Sequence, residues 1–145
     1  MLRTLLILLG LLPALAWAED TAAPLQAGLW EISTVTSHSL IGKRPKSVQR
    51  CLEEAQLQQW RSDLHRLLGD QKQQCETSQF KQEGNRASWQ ARCEGKIPAK
   101  GAAWLVFDDP THYHGEATAQ SLNGWPPGTF LSVFTAQRLG DCPAP

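Results

Sequence analysis

The spacing of apolar positions changes along the chain, and each spacing predicts a different element. From Gly28 onward, Trp30, Ile32 and Thr34 alternate with Glu31, Ser33 and Val35, and β-branched residues are dense. Period-two alternation of such residues predicts a strand. Residues 42–45 read as a turn and residues 47–51 as a returning strand. Leu57, Trp60, Leu64, Leu67 and Leu68 then recur at helical spacing. Glu53 and Glu54 fall in the first turn, where the helix dipole favours anions, and Gly69 stands at the expected C-terminal cap. One helix is predicted here, with a narrow apolar stripe that packs on a core.

The strand pattern resumes after it. Residues 75–82 and 86–93 flank Glu83-Gly84-Asn85, which predicts a hairpin with a three-residue loop. In that register Gln82 faces Arg86, Phe80 faces Ser88, Gln79 faces Trp89, and Cys75 falls directly opposite Cys93. Residues 102–107 form a continuous apolar run, expected to be buried on both faces. Asp108-Asp109-Pro110 is a turn, residues 111–118 return, residues 123–128 form a Pro/Gly loop around Trp125, and residues 129–139 make a last long strand. The reading is a mainly β, α+β domain. It is an antiparallel meander of about seven strands forming a curved sheet or partly closed barrel, with one helix inserted after the second strand.

The N-terminus follows another rule. Arg3 is followed by an apolar run over residues 5–15, then by Ala16-Trp17-Ala18 and Glu19-Asp20. That is the three-part pattern of a secretory signal cleaved after Ala18. The run is shorter than the roughly 20 residues of a spanning helix, and no second one follows. Residues 19–27 are expected to be a flexible arm and residues 28–145 a single disulfide-stapled β-rich domain. The mature chain is expected to be soluble and periplasmic, without a transmembrane segment.

Composition narrows the chemistry. The chain has 14 basic and 14 acidic residues, and loss of Arg3 leaves 13 against 14. Such a balance argues against nucleic acid, whose binding depends on neutralising phosphates. Lys43-Arg44-Pro45-Lys46 is the densest basic stretch and reads as a solvated turn. The four cysteines, Cys51, Cys75, Cys93 and Cys142, all follow the signal and lack the close spacing of a zinc site. Two disulfides are expected in an exported domain. The hairpin register assigns Cys75–Cys93, and elimination leaves Cys51–Cys142.

At this point the order of motifs resembles a known family. Gly28-Leu29-Trp30-Glu31-Ile32 opens the domain, Cys51-Leu52 follows the first hairpin, and Cys75 and Cys93 bracket the second. Tyr113-His114-Gly115 lies in the sixth strand, and Gln137-Arg138-Leu139-Gly140-Asp141-Cys142 closes the chain. Together they resemble the domain of unknown function 3617 family, small exported proteins of Gram-negative bacteria. The family often has Thr-Pro after the first Cys-Leu, where this chain has Glu53-Glu54. The resemblance implies no activity.

Candidate sites are few. His112 and His114 alternate on a strand, so both imidazoles point to one face and could clasp an ion if His38 or His65 supplied a third ligand. Two exposed histidines on a solvent face are the plainer expectation, and no metal or other cofactor is assigned. Trp30, Trp104 and Trp125 are the ligand or partner candidates among five tryptophans that remain after cleavage. Core packing suits Trp30, Trp60 and Trp104, whereas Trp125 sits in a loop where it could anchor a partner or fold back as a lid over the core. Asp108 and Asp109 read as turn residues rather than paired acid and base. No nucleophile elbow, P-loop or dinucleotide fingerprint occurs. The expectation is a non-enzymatic protein that binds a small apolar or envelope-derived ligand in a cavity lined by Trp and Phe. The alternative is a module or inhibitor that docks an envelope protein through an exposed loop. A hydrolase using His112, His114 and Asp108 is the distant third.

Overall fold

A computed structural model describes residues 23–68 and 74–144. The proposed signal, residues 1–18, and the expected cap at Gly69 lie outside the described residues. The elements are β1 (Gly28–His38), β2 (Gly42–Leu52), α1 (Glu54–Gln58), two 3₁₀ turns (Trp60–Ser62 and Leu64–Arg66), β3 (Gln74–Glu83), β4 (Arg86–Glu94), β5 (Ala99–Asp109), β6 (His112–Ser121) and β7 (Phe130–Gly140). The strands form one antiparallel sheet in the order β2-β1-β7-β6-β5-β4-β3. β3 to β7 make an unbroken meander, and β7 returns to pair with β1 from Leu29 to Ser37. The sheet is not closed, and β2 and β3 are its edges.

Side chains alternate across the strands as the period-two pattern requires. Trp30, Ile32, Ala103, Leu105, Phe107, Tyr113, Phe134 and Ala136 face inward and are buried. Residues 102–107 therefore do not lie buried on both faces: Ala102 is exposed, and Trp104 and Val106 are only half-buried on the outer face. A single layer has one dry side, so an apolar run can cross it without being enclosed.

The segment between β2 and β3 closes one end of the inner face. The expected single helix is instead a five-residue helix followed by two 3₁₀ turns. Its first turn is braced where the Glu53 N–H donates to the Gln56 side chain (3.1 Å). Leu57, Trp60, Leu64 and Leu67 are nonetheless all buried. Their spacing reports burial against the sheet, which 3₁₀ turns satisfy as readily as an α-helix over so short a stretch. Trp60 meets Phe80 and Phe107 edge-on at 5.5 and 5.3 Å, and the Tyr113 hydroxyl donates to the Leu67 carbonyl at 2.9 Å.

Three further expectations are corrected. Residues 42–45 are not a turn: β2 runs straight through them, and the chain turns at residues 39–41. Pro45 is tolerated because β2 is an edge strand, where no outer neighbour needs its missing N–H, and its basic neighbours discourage edge-to-edge pairing. Residues 23–27 are not a flexible arm. Ala23 and Leu25 are buried, the Ala23 N–H donates to Leu57 O, and Arg138 donates to Ala27 O at 2.8 Å.

The β3–β4 hairpin also departs from its expected form. Its loop is the two-residue turn Gly84-Asn85, with Glu83 facing Arg86. Gly84 supplies the positive φ of 58° that such a tight turn needs at its first position. Lys81 therefore faces Ser88, and a bulge at Gln79 (φ 51°) and Phe80 sets two residues against Trp89 alone. The bulge shifts the register by one and brings Cys75 opposite Cys93 after all.

Candidate functional site

The inner face is graded from one end of the sheet to the other. Along β5 it reads Ala99, Gly101, Ala103, Leu105, Phe107, and along the neighbouring β6 it reads Ser121, Ala119, Ala117, Gly115, Tyr113. The register pairs these directly: Gly101 with Ala119, Ala103 with Ala117, Leu105 with Gly115, and Phe107 with Tyr113. Large faces large at one end and small faces small at the other. β1 follows the same gradient, from Trp30 and Ile32 to Thr34 and Thr36. Gly115 belongs to the large end for a steric reason: a Cβ there would sit 2.5 Å from the Phe134 ring.

At the small end the side chains do not fill the curve of the sheet. A cavity of about 280 Å³ remains, floored by small residues of β4 to β6 and walled by Ile32, Leu68, Trp89 and Phe134. That is near the lower bound of pockets holding small organic molecules. Lys46, His65 and Lys100 are the basic groups on its lining. The Cys75–Cys93 disulfide forms part of the wall. Cavity walls rich in Trp and Phe were expected, but only Trp89 and Phe134 supply aromatic rings, and the floor is alanine and glycine. The signal that could have found it was present: two runs of alternating small residues, Ala99-x-Gly101-x-Ala103 and Gly115-x-Ala117-x-Ala119.

The tryptophans singled out from the sequence go to three different places. Trp30 is fully buried, donates to Gln26 O at 3.1 Å and packs on Tyr113 at 5.4 Å, so it is core at the filled end and away from the cavity. Trp104 is on the outer face, not in the core, between the Arg86 guanidinium (4.3 Å) and the His114 ring (5.9 Å). Trp125 is 73 % exposed on the β6–β7 loop, residues 122–129, rather than folded back over the core. That loop is braced beneath it: buried His38 contacts Pro127 O through Nε2 at 3.0 Å and stacks on Phe130 at 4.3 Å.

His112 and His114 share the outer face, each with its own carboxylate. His112 Nδ1 lies 3.1 Å from Asp109, and His114 Nδ1 lies 2.8 Å from Asp108. His38 stands at the opposite end of the sheet and His65 on the cavity lining, so neither joins them. Among the described residues no group of three or more His, Cys, Asp or Glu is placed to hold a metal ion. Asp109 accepts from the hydroxyl and the N–H of Thr111, and these bonds, with His112, hold its carboxyl down at about 2. That is the chemistry of a braced turn. The Tyr113 phenol is pushed far above its ordinary range by burial.

Both disulfides expected from the sequence are present, Cys51–Cys142 and Cys75–Cys93. They fit a protein of an oxidising compartment, extracellular or periplasmic. No described helix is long and apolar enough to cross a membrane. No curated protein and no solved structure matches the chain. Residues 25–142, from the docked Leu25 to the second half of the Cys51–Cys142 bridge, match the pattern of the proteins of unknown function designated DUF3617, and the chain belongs to that family.

Proposed function

We propose that the protein is a non-enzymatic periplasmic binding protein that holds a small apolar or envelope-derived molecule in the unfilled end of its sheet. The observation that carries this reading is the cavity of about 280 Å³ with its floor of alanine and glycine. A domain that only needed stability would fill such a space, because close packing is the norm in protein interiors. Here small residues meet across β5 and β6 at successive positions, which is a shape rather than a single defect. The lining is mostly aliphatic and aromatic carbon, which suits apolar guests. Lys46 and Lys100 give an anionic head group a place at the edge. The leader-like N-terminus and the two disulfides support the periplasmic assignment.

The test is titration of the purified, oxidised protein with a dansylated fatty acid, read by energy transfer from tryptophan. Saturable binding is expected, displaced by unlabelled fatty acids with affinity rising about fourfold per added methylene until the cavity is full. Ala117→Leu, which projects into the cavity, is expected to weaken binding at least tenfold while leaving the melting temperature near that of the parent. Equal binding by parent and variant, or none by either, would overturn the reading.

A further inference from the structure

The two ends of the sheet carry different chemistry on their connections. At the end that holds the cavity, the chain turns through residues 39–41, 95–98 and 122–129. These three connections are stitched together: the Leu122 N–H donates to Pro98 O at 2.8 Å, and His38 joins Pro127 O at 3.0 Å. Leu40 (62 %), Ile41, Ile97 and Trp125 (73 %) project from them into solvent. They are four of the seven large apolar side chains exposed among the described residues. The hairpin turns at the other end are Gly84-Asn85 and Pro110-Thr111, which carry none.

Charge follows the same division. Lys43, Arg44 and Lys46 open β2, Lys96 sits in the β4–β5 connection, and Lys100 opens β5. The carboxylates described near them are Glu76, opposite Arg92 across β3–β4, and Glu94. Glu53, Glu54, Glu83, Asp108, Asp109 and Asp141 lie at the far end together with Arg50, Arg86 and Arg138, so that end is mixed in charge while the cavity end is predominantly basic. Apolar tips on three braced loops, set among lysines and an arginine, match a surface that is apolar just beneath a negatively charged layer. Tryptophan favours that boundary, and basic residues add attraction to anionic lipid.

We infer that this end of the protein docks on an anionic lipid bilayer, with Leu40, Ile41, Ile97 and Trp125 entering the interface and the lysines and Arg44 resting on the head groups. A protein partner would account for the apolar tips, but the concentration of cations around them favours lipid. The docked orientation sets the cavity end of the sheet toward the membrane. The inference does not depend on what the cavity holds.

The test is co-sedimentation of the oxidised protein with vesicles of phosphatidylglycerol and phosphatidylcholine, and with phosphatidylcholine alone, at low and high salt. Binding is expected to the anionic vesicles and to fall at least tenfold without phosphatidylglycerol. Lys43→Gln with Arg44→Gln is expected to reduce partitioning about 25-fold, near fivefold for each cation removed. Trp125→Ala is expected to reduce it about tenfold, with Trp125→Phe restoring most of the loss. Trp125 emission is expected to shift to the blue on binding. Retained thermal unfolding of each variant separates these losses from misfolding. No binding by the parent, equal binding to neutral vesicles, or full binding by Trp125→Ala would overturn the inference. Failure here leaves fatty-acid binding in the cavity untouched, and failure there leaves vesicle binding untouched.

Discussion

The two halves of one sheet differ in what fills them. At the filled end, Trp30, Phe107, Tyr113 and Phe134 pack against Trp60, Leu64 and Leu67 from the β2–β3 segment, and the Cys51–Cys142 bridge ties the edge strand to the chain's C-terminal end. At the other end the same strands carry alanine, glycine, serine and threonine on the same face, and a space remains. The backbone ladders joining β1, β7, β6 and β5 run through both halves, with register breaks only near the filled end at Leu29/Trp30 and Phe107/Asp109, so hydrogen bonding does not explain the space. Side-chain volume does. The comparison teaches that one end holds the domain together and thereby frees the other to be under-packed, apolar at its tips and basic.

If that division is right, removing Cys51 and Cys142 together should have the largest effect. Its loop spans 91 residues, and chain entropy alone predicts a loss of about 4 to 5 kcal/mol, against about 3 for the 18-residue span of Cys75–Cys93. Denaturant unfolding of the two double Cys→Ala variants measures the difference, and the reverse order would place the anchor at the cavity end. Next is Trp30→Ala, expected to cost about 3 to 5 kcal/mol and to lower Tm by roughly 10 °C or more. Trp125→Ala should stay within about 0.5 kcal/mol of the parent. Similar losses from both would erase the contrast.

Tyr113 sharpens the comparison further, because it is the chain's only tyrosine. Burial raises its folded-state pKa well above the ordinary 10.0, so the stability linked to its neutral form is intact below pH 10 and is lost as pH rises beyond it. Tyrosinate absorbance should therefore appear together with loss of the β-sheet dichroism. Ionisation near pH 10 with the sheet intact would mean that the filled end is open to water. The smallest effect belongs to Asp109. Its folded carboxyl sits near 2, below the ordinary 3.8, so its contribution is present above about pH 4 and fades as pH falls toward 2. The group is exposed and screened, so Asp109→Asn should lower Tm slightly at neutral pH, and the gap should close by pH 2. A gap of constant size would assign the effect to turn geometry rather than charge.

Much of this was legible in the chain. Strand positions from Trp30 to Ile32 and from Phe130 to Leu139 follow from alternation, and the burial of Leu57, Trp60, Leu64 and Leu67 from their spacing. In the sequence, the pairing of Cys75 with Cys93 follows from a three-residue loop that the structure does not contain. The real turn is one residue shorter, and the bulge at Gln79 and Phe80 makes up the difference. No local pattern announces that bulge, whose Phe80 packs on Trp60 from a different element. The loop position of Trp125 is legible in the sequence but its exposure is not, and the outward placement of Trp104 is hidden because an apolar run looks alike whether it is covered on one face or two.

Sequence alone determined the strand pattern, the number of disulfides, the family and the inward face of β1, because each rests on neighbours within a few residues or on residue chemistry itself. Tertiary structure decided that β7 returns to β1 and that residues 23–27 dock under the domain. It also broke the helix into turns, and it set small residues against small ones to leave a cavity. These depend on side-chain volume summed across strands distant in the chain, and volume is matched only when the sheet curves and the strands meet.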